Sequence, residues 1–318
     1  MSCSFINSSK FSWLALDDVA EAAVSCALDT GYRLIDTAAF YDNEAAIGRA
    51  LHQKCLTTNL RREDVFVTTK YEGGEFEKDL TKPQPVDTTS LEDTWREMEK
   101  LVDDGLVRSI GLSNFNRSQI QRILKICRIR PQVLQVEVSL FFRNRDLVAF
   151  AKSAGMQVTS YATFGSPGMM SSSRASSPSQ LTCCGLVFRG SKLKFGDVVV
   201  SAIQSTQYDQ AYLADRSEQA SSSVNGQMAC PLEEPCVKAI ATKRDKTPAQ
   251  ILLRHILQLG VCTIPKSVTP ARIVENFQVS PRFVRLSSHR PRQDSEHYSE
   301  RLRTLSCVDD RPVLPKYA

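Results

Sequence analysis

The 318-residue chain predicts an α/β protein in which βα units surround a parallel sheet. Short β-rich runs alternate with amphipathic helical segments. Each β run is nearly continuously apolar, as strands covered on both faces are. Run after run also closes on a polar group, and in a parallel barrel the C-terminal strand ends are where functional side chains collect.

Taken in order, "DDVAEAAVSCALDTG" places Val19, Ala22, Ala23 and Cys26 at helical spacing and stops on Gly31. The run "YRLIDTA" (32–38) follows as a strand, a helix carrying His52 comes next, and "DVFVTTK" (64–70) is the second strand. From Tyr71 to Thr89 glycines, prolines and charges replace any periodic apolar face, which predicts a loop. "LEDTWREMEKLVDDG" then sets Leu91, Trp95, Met98 and Leu101 on one helix side with Gly105 as the stop. Strands at 107–114, 133–139 and 156–162 alternate with the helices "SQIQRILKICR" and "RDLVAFAKSAG". A Ser-rich insert, expected to be disordered, covers 168–230, with "GLVFRGSKLKFGDVVVSAI" as a hairpin candidate in its middle. In "TPAQILLRHILQLG", Thr247 is the predicted N-cap and Pro248 the first helical residue, and "VCTIPKS" (261–267) is the last strand. These elements make 1–279 one domain, with 280–318 as an irregular Arg- and Ser-rich tail.

Forty Lys and Arg stand against thirty-five Asp and Glu, and the charges are scattered, which argues against a nucleic-acid surface. No apolar stretch is long enough to span a bilayer, and the N-terminus has neither a basic segment nor a sustained apolar core. A cytoplasmic monomer is expected. The ten cysteines show no CxxC spacing, so neither a metal centre nor a disulfide framework is predicted.

The strand ends carry Asp36, Lys70, Ser113 with Asn114, Gln135 with Glu137, Tyr161, and Lys266 with Ser267. Each has an ordinary explanation alone: Asp36 as a helix cap, Lys70 as a solvated strand end, Tyr161 as a core aromatic with a wet hydroxyl. Their agreement on six successive strands points to one site.

The segments "GYRLIDTAAFYDNEAAIGRAL", "LVRSIGLSNFN", "VLQVEVS" and "IPKSVTPARIVENFQV" resemble the aldo-keto reductase superfamily. The resemblance implies a (β/α)8 TIM barrel that binds NADP(H) and reduces aldehydes or ketones to alcohols. Such a reduction needs a hydride at the carbonyl carbon and a proton at its oxygen. By resemblance Tyr41 is the proton donor, Lys70 the cation that stabilises its phenolate, and Asp36 the carboxylate that holds the lysine. A purely structural Asp36–Lys70 pair is the competing reading. Ser113, Asn114 and Gln135 match the positions that hydrogen-bond the nicotinamide carboxamide, and Tyr161 the aromatic stacked under its ring. Lys266, Ser267 and Arg272 match the residues around the adenosine 2′-phosphate, and Glu275 and Asn276 those at the adenine. Two cations and a hydroxyl suit a dianion, which favours NADPH over NADH.

The chain also departs from the family. The first barrel strand is reduced to "KFSWLAL", with Trp13 as a remnant of the substrate pocket. The helix before the fourth strand, that strand, and the histidine that ends it have no counterpart, and none of His52, His255, His289 and His297 ends a strand. Six to seven strands are therefore expected in an incomplete barrel with impaired activity. The alternative is a non-catalytic NADP(H)-binding or partner-binding protein on the same scaffold.

Overall fold

A computed structural model describes residues 5–7, 17–72, 89–165, 198–203, 230–279, 285–287 and 307–309. Eight strands form one sheet: β1 (Phe5–Asn7), β2 (Leu34–Asp36), β3 (Phe66–Glu72), β4 (Ser109–Ser113), β5 (Val133–Glu137), β6 (Gln157–Tyr161), β7 (Val198–Ile203) and β8 (Cys262–Thr263). Their order is β1-β2-β3-β7-β4-β5-β6-β8, and every pairing within the sheet is parallel.

This corrects the expected six to seven strands. The first position, expected to be lost, is taken by Phe5–Asn7 beside β2. The fourth is taken by Val198–Ile203, which lies between β3 and β4 although it follows β6 in the chain. Six residues of the expected disordered insert are thus a strand, and they pair in parallel with two distant strands rather than in a local hairpin. The physical reason is the open edges: without an occupant here, β3 and β4 would each present a row of unpaired backbone groups. The run "VVVSAI" has the β-branched content to fill them. Beyond residue 279, Arg285–Ser287 (β9) and Cys307–Asp309 (β10) pair antiparallel, in a tail expected to be irregular.

The helices are α1 (Asp17–Thr30), α2 (Glu44–Thr57), α3 (Leu91–Asp103), α4 (Arg117–Ile126), α5 (Arg145–Ser153), α6 (Pro235–Arg244), α7 (Pro248–Gln258) and α8 (Pro270–Phe277). α1 buries Ala20, Ala23, Val24, Ala27 and Leu28, a face turned from the expected one, so Val19 and Ala22 are exposed. Its end is a Schellman turn: Tyr32 N donates to Ala27 O and Gly31 N to Leu28 O, with Gly31 at φ 112°. Both predicted caps at 247–248 are present, since Thr247 accepts from Gln250 N and Pro248 is the first helical residue. One core joins Trp95 and Met98 of α3 to Ile110, Leu112, Leu134, Val136 and Val158 of the sheet. A second packs Val24, Leu28, Ile47 and Leu51 onto Ile35, Val65 and Val67. Between β4 and β5 the backbones come so close that a Cβ on Gly111 would stand 2.6 Å from Val133 O. These contacts fix β2, β3, β4 and β5, the strands whose ends carry the candidate site.

Candidate active site

Asp36 closes β2 and Lys70 lies near the end of β3, two residues beyond the partner of Asp36. Their side chains are only 1% and 4% exposed, so the solvated-end reading of Lys70 does not hold. Lys70 Nζ donates to Asp36 Oδ2 at 2.7 Å and to Thr37 O at 2.8 Å. A buried ammonium is tolerated because the carboxylate and a carbonyl both receive it. The helix-cap reading of Asp36 fails too, because its second oxygen, Oδ1, accepts from Gln135 Nε2 at 2.8 Å.

Tyr41 arrives on the short turn of helix Ala39–Tyr41 that follows β2, and the turn closes with Asp42 in the left-handed region at φ 49°. This geometry sets Lys70 Nζ 5.5 Å from the centre of the Tyr41 ring, within cation–π range. Thr37 and Asn43 brace the segment from inside, joined Oγ1 to Oδ1 at 2.8 Å. The structure therefore brings Asp36, Lys70 and Tyr41 together.

Ser113 and Gln135 are paired residues on β4 and β5, and both are buried. Asn114 follows at φ 61°, a left-handed turn that asparagine tolerates, while its N donates to Gln135 O. Its Oδ1 accepts from the Tyr161 hydroxyl at 2.8 Å, which ties the end of β6 to the end of β4. Tyr161 is thus held by its hydroxyl and is not a plain core aromatic.

The second group lies after β8. Ser267 and Thr269 form a tight turn, with Thr269 N donating to Ser267 Oγ at 3.1 Å, immediately before Pro270 opens α8. Arg272 is exposed there. Lys266 as a whole residue is exposed, while partial burial of its ammonium pulls its pKa below the ordinary lysine value. Glu275 is already engaged, accepting from Thr247 Oγ1 at 2.6 Å, and Asn276 is buried.

No histidine stands at β7. His52 is an exposed residue of α2 and His255 is buried in α7, while His289, His297 and Trp13 lie outside the described residues. In register, Ser201 of β7 stands level with Lys70 and Gly111, and Ile203 level with Glu72 and Ser113. Sequence reasoning placed this segment in a local hairpin and missed its position between β3 and β4, although Val198, Val199, Val200 and Ile203 were a usable strand signal. It also missed the Gln135–Asp36 bond, which joins residues 99 apart and leaves no local trace.

Among the described residues no helix is long and apolar enough to cross a membrane. The Aldo/keto reductase family matches residues 13–87 and 79–290, well over half of the chain. Aldo-keto reductase family 1 member A1 of Gallus gallus is 34% identical over 308 aligned residues, covering 84% of this chain and 78% of the relative. The Homo sapiens protein of the same name is 31% identical over 307, with the same coverage of both. Among solved structures, an aldose reductase from Schistosoma japonicum superposes with a TM-score of 0.64 at 32% identity, over 96% of this chain and 88% of that one. A Bombyx mori aldo-keto reductase in complex with NADP gives 0.63 at 25%, over 87% and 83%. With its parallel eight-strand sheet and this agreement over most of the chain, the protein belongs to the aldo-keto reductase family.

Proposed function

We propose that this protein is an NADP(H)-dependent oxidoreductase that reduces small aldehydes or ketones to alcohols, with Tyr41 as the proton donor. The observation that carries the reading is the buried Asp36–Lys70 pair with the ammonium beside the Tyr41 ring. A phenol with an ordinary pKa of about 10 gives up its proton reluctantly near neutral pH. A cation held next to it favours the phenolate, and Asp36 keeps that cation in place.

The cofactor residues fit at the nicotinamide end. Among the described residues, Ser113 Oγ and Gln135 Oε1 make no hydrogen bond, so both are available to a ligand. At the other end, Lys266, Ser267 and Arg272 before and within the first turn of α8 suit a phosphate, which would also offset the desolvation of Lys266. Glu275 and Asn276 would contact the adenine, Glu275 after release from Thr247. When bound, the reduced nicotinamide supplies the hydride, and Tyr161 is the aromatic that would lie against its ring.

A second reading rests on β7. That strand offers Ile203 at the row shared with Glu72 and Ser113, and no histidine to orient a carbonyl. Loss of one such donor costs on the order of 10²-fold in turnover, so the reductase is expected to be slow. At the limit it is a non-catalytic NADP(H)-binding or partner-binding protein. Titration with NADPH, followed by fluorescence and melting temperature with NADH as control, tests the cofactor site. Saturable NADPH binding that Lys266→Ala weakens supports it, and no binding removes it. Carbonyl-dependent NADPH consumption that disappears in Tyr41→Phe then supports the reductase. Binding without consumption favours the second reading.

A further inference from the structure

Asp36 makes two hydrogen bonds that face different partners. Oδ2 takes the ammonium of Lys70, and Oδ1 takes Gln135 Nε2 at 2.8 Å. A carboxylate only accepts, so a terminal amide beside it can present its NH2 group and nothing else. The Gln135 amide therefore has one orientation, with the nitrogen on Asp36 and the oxygen directed elsewhere. Among the described residues that oxygen has no partner, although the residue is buried.

We infer that Asp36 is a positioning residue for the cofactor as well as for Lys70: through Gln135 it presets a hydrogen-bond acceptor that selects a ligand carrying an N–H donor. This rests on the cofactor reading above, where the donor is the NH2 of the nicotinamide 3-carboxamide. Beside it, Asn114 Oδ1 accepts from Tyr161, which leaves Asn114 Nδ2 as a donor for the carboxamide oxygen. A phenol can donate or accept, so the Asn114 orientation follows less strictly. The carboxylate on Gln135 admits a single solution. One acidic side chain then serves both the proton donor group and the orientation of the reduced ring, which places the hydride carbon relative to Tyr41.

The variant Asp36→Asn isolates the claim. Its oxygen must stay on Lys70, because an amide NH2 cannot face an ammonium. Its NH2 then faces Gln135 and turns that amide over, so a donor replaces the acceptor. The probe is reduced 3-acetylpyridine adenine dinucleotide phosphate, whose methyl ketone keeps the acceptor and lacks the N–H donor. In the unmodified protein NADPH is expected to bind about tenfold more tightly than this analogue, since the analogue leaves the Gln135 oxygen unpaired. In Asp36→Asn the ratio should fall to near one, with dissociation constants read from fluorescence titrations.

Should Asp36→Asn not fold, Gln135→Met decides together with the unmodified protein. It keeps the Asp36–Lys70 pair and should weaken NADPH about tenfold while leaving the analogue unchanged. Equal affinities for both ligands in the unmodified protein overturn the inference and leave the cofactor reading standing. A preserved preference in Asp36→Asn or in Gln135→Met overturns it as well. Failure to bind NADPH at all removes the cofactor reading and this inference with it.

Discussion

Proline at Val200 tests whether the fourth position of the barrel is held by β7. Val200 stands between Thr69 of β3 and Ile110 of β4, so its backbone belongs to a strand with neighbours on both sides. Proline there removes a ladder N–H, leaves the facing carbonyl unpaired and crowds the ring against the adjacent strand. An orphaned buried carbonyl alone costs about 1–3 kcal/mol. With the steric conflict added, about 3 kcal/mol is expected, a large share of the 5–15 kcal/mol that holds a typical domain together. For a chain of this size each kcal/mol shifts the melting temperature by roughly 2–4 °C, so Val200→Pro should melt roughly 6–12 °C lower. Hydrogen exchange would read the same event locally, with faster exchange in Phe66–Glu72 and Ser109–Ser113 together, since both strands lose their shared neighbour. An unchanged melting temperature with unchanged protection of both strands would falsify the placement of β7.

Three further substitutions read other parts of the structure. Glu99 Oε1 accepts from Arg128 N at 2.7 Å and Ile129 N at 2.8 Å, so Glu99→Ala strands two amides before β5 and should cost about 2–4 kcal/mol in urea unfolding. A Cβ at residue 111 would meet Val133 O at 2.6 Å, and Gly111→Ala should therefore destabilise by about 1–3 kcal/mol although alanine is the smallest change available. His255 is buried, and desolvation, followed by the charges of Arg143 and Arg145, lowers its pKa to about 4. Because the folded pKa lies below the unfolded value of about 6.5, its contribution is complete above pH 6.5 and is lost as pH falls towards 4. The acid limb of stability against pH should be shallower in His255→Leu over that window, and identical slopes would remove histidine as its cause.

What the sequence disclosed divides along physical lines. Helix ends were legible because capping is local: Thr247 and Pro248 announce the start of α7. The meeting of Asp36, Lys70 and Tyr41 was legible through family resemblance, since all three sit in segments that keep the family pattern. The buried face of α1 was misplaced because alanines dominate both sides of that helix and give little contrast. Helix α6 went unread for a similar reason, with only Val237 and Ala241 fully buried along ten residues. β7 was illegible as a barrel strand because its partners are fixed by which edges stand open, and nothing near residue 200 in the chain records that.

Barrel closure and carbonyl chemistry make separate demands on the fourth position. Closure requires backbone N–H and C=O groups at the right spacing, and β7 supplies these along β3 and β4. On the proposed reductase reading a hydrogen-bond donor at the strand's C-terminal end would orient the carbonyl, and there the chain has Ile203. Asp36, Lys70, Tyr41 and Gln135 draw on β2, β3, the turn after β2, and β5, and the Asp36–Lys70, Asp36–Gln135 and Lys70–Tyr41 contacts are made among these four residues themselves. The loss should therefore fall on turnover while NADPH affinity stays as it is. Ile203 shares a sheet row with Glu72 and Ser113, and Ser113 in turn pairs with Gln135, which makes residue 203 the place to restore the donor. Ile203→His should raise the turnover of a small aldehyde by about 10²-fold, with NADPH affinity unchanged within about twofold and the gain abolished by adding Tyr41→Phe. If turnover stays flat while NADPH still binds, the fourth strand is not what limits this barrel, and the reasoning that separates its backbone from its chemistry fails.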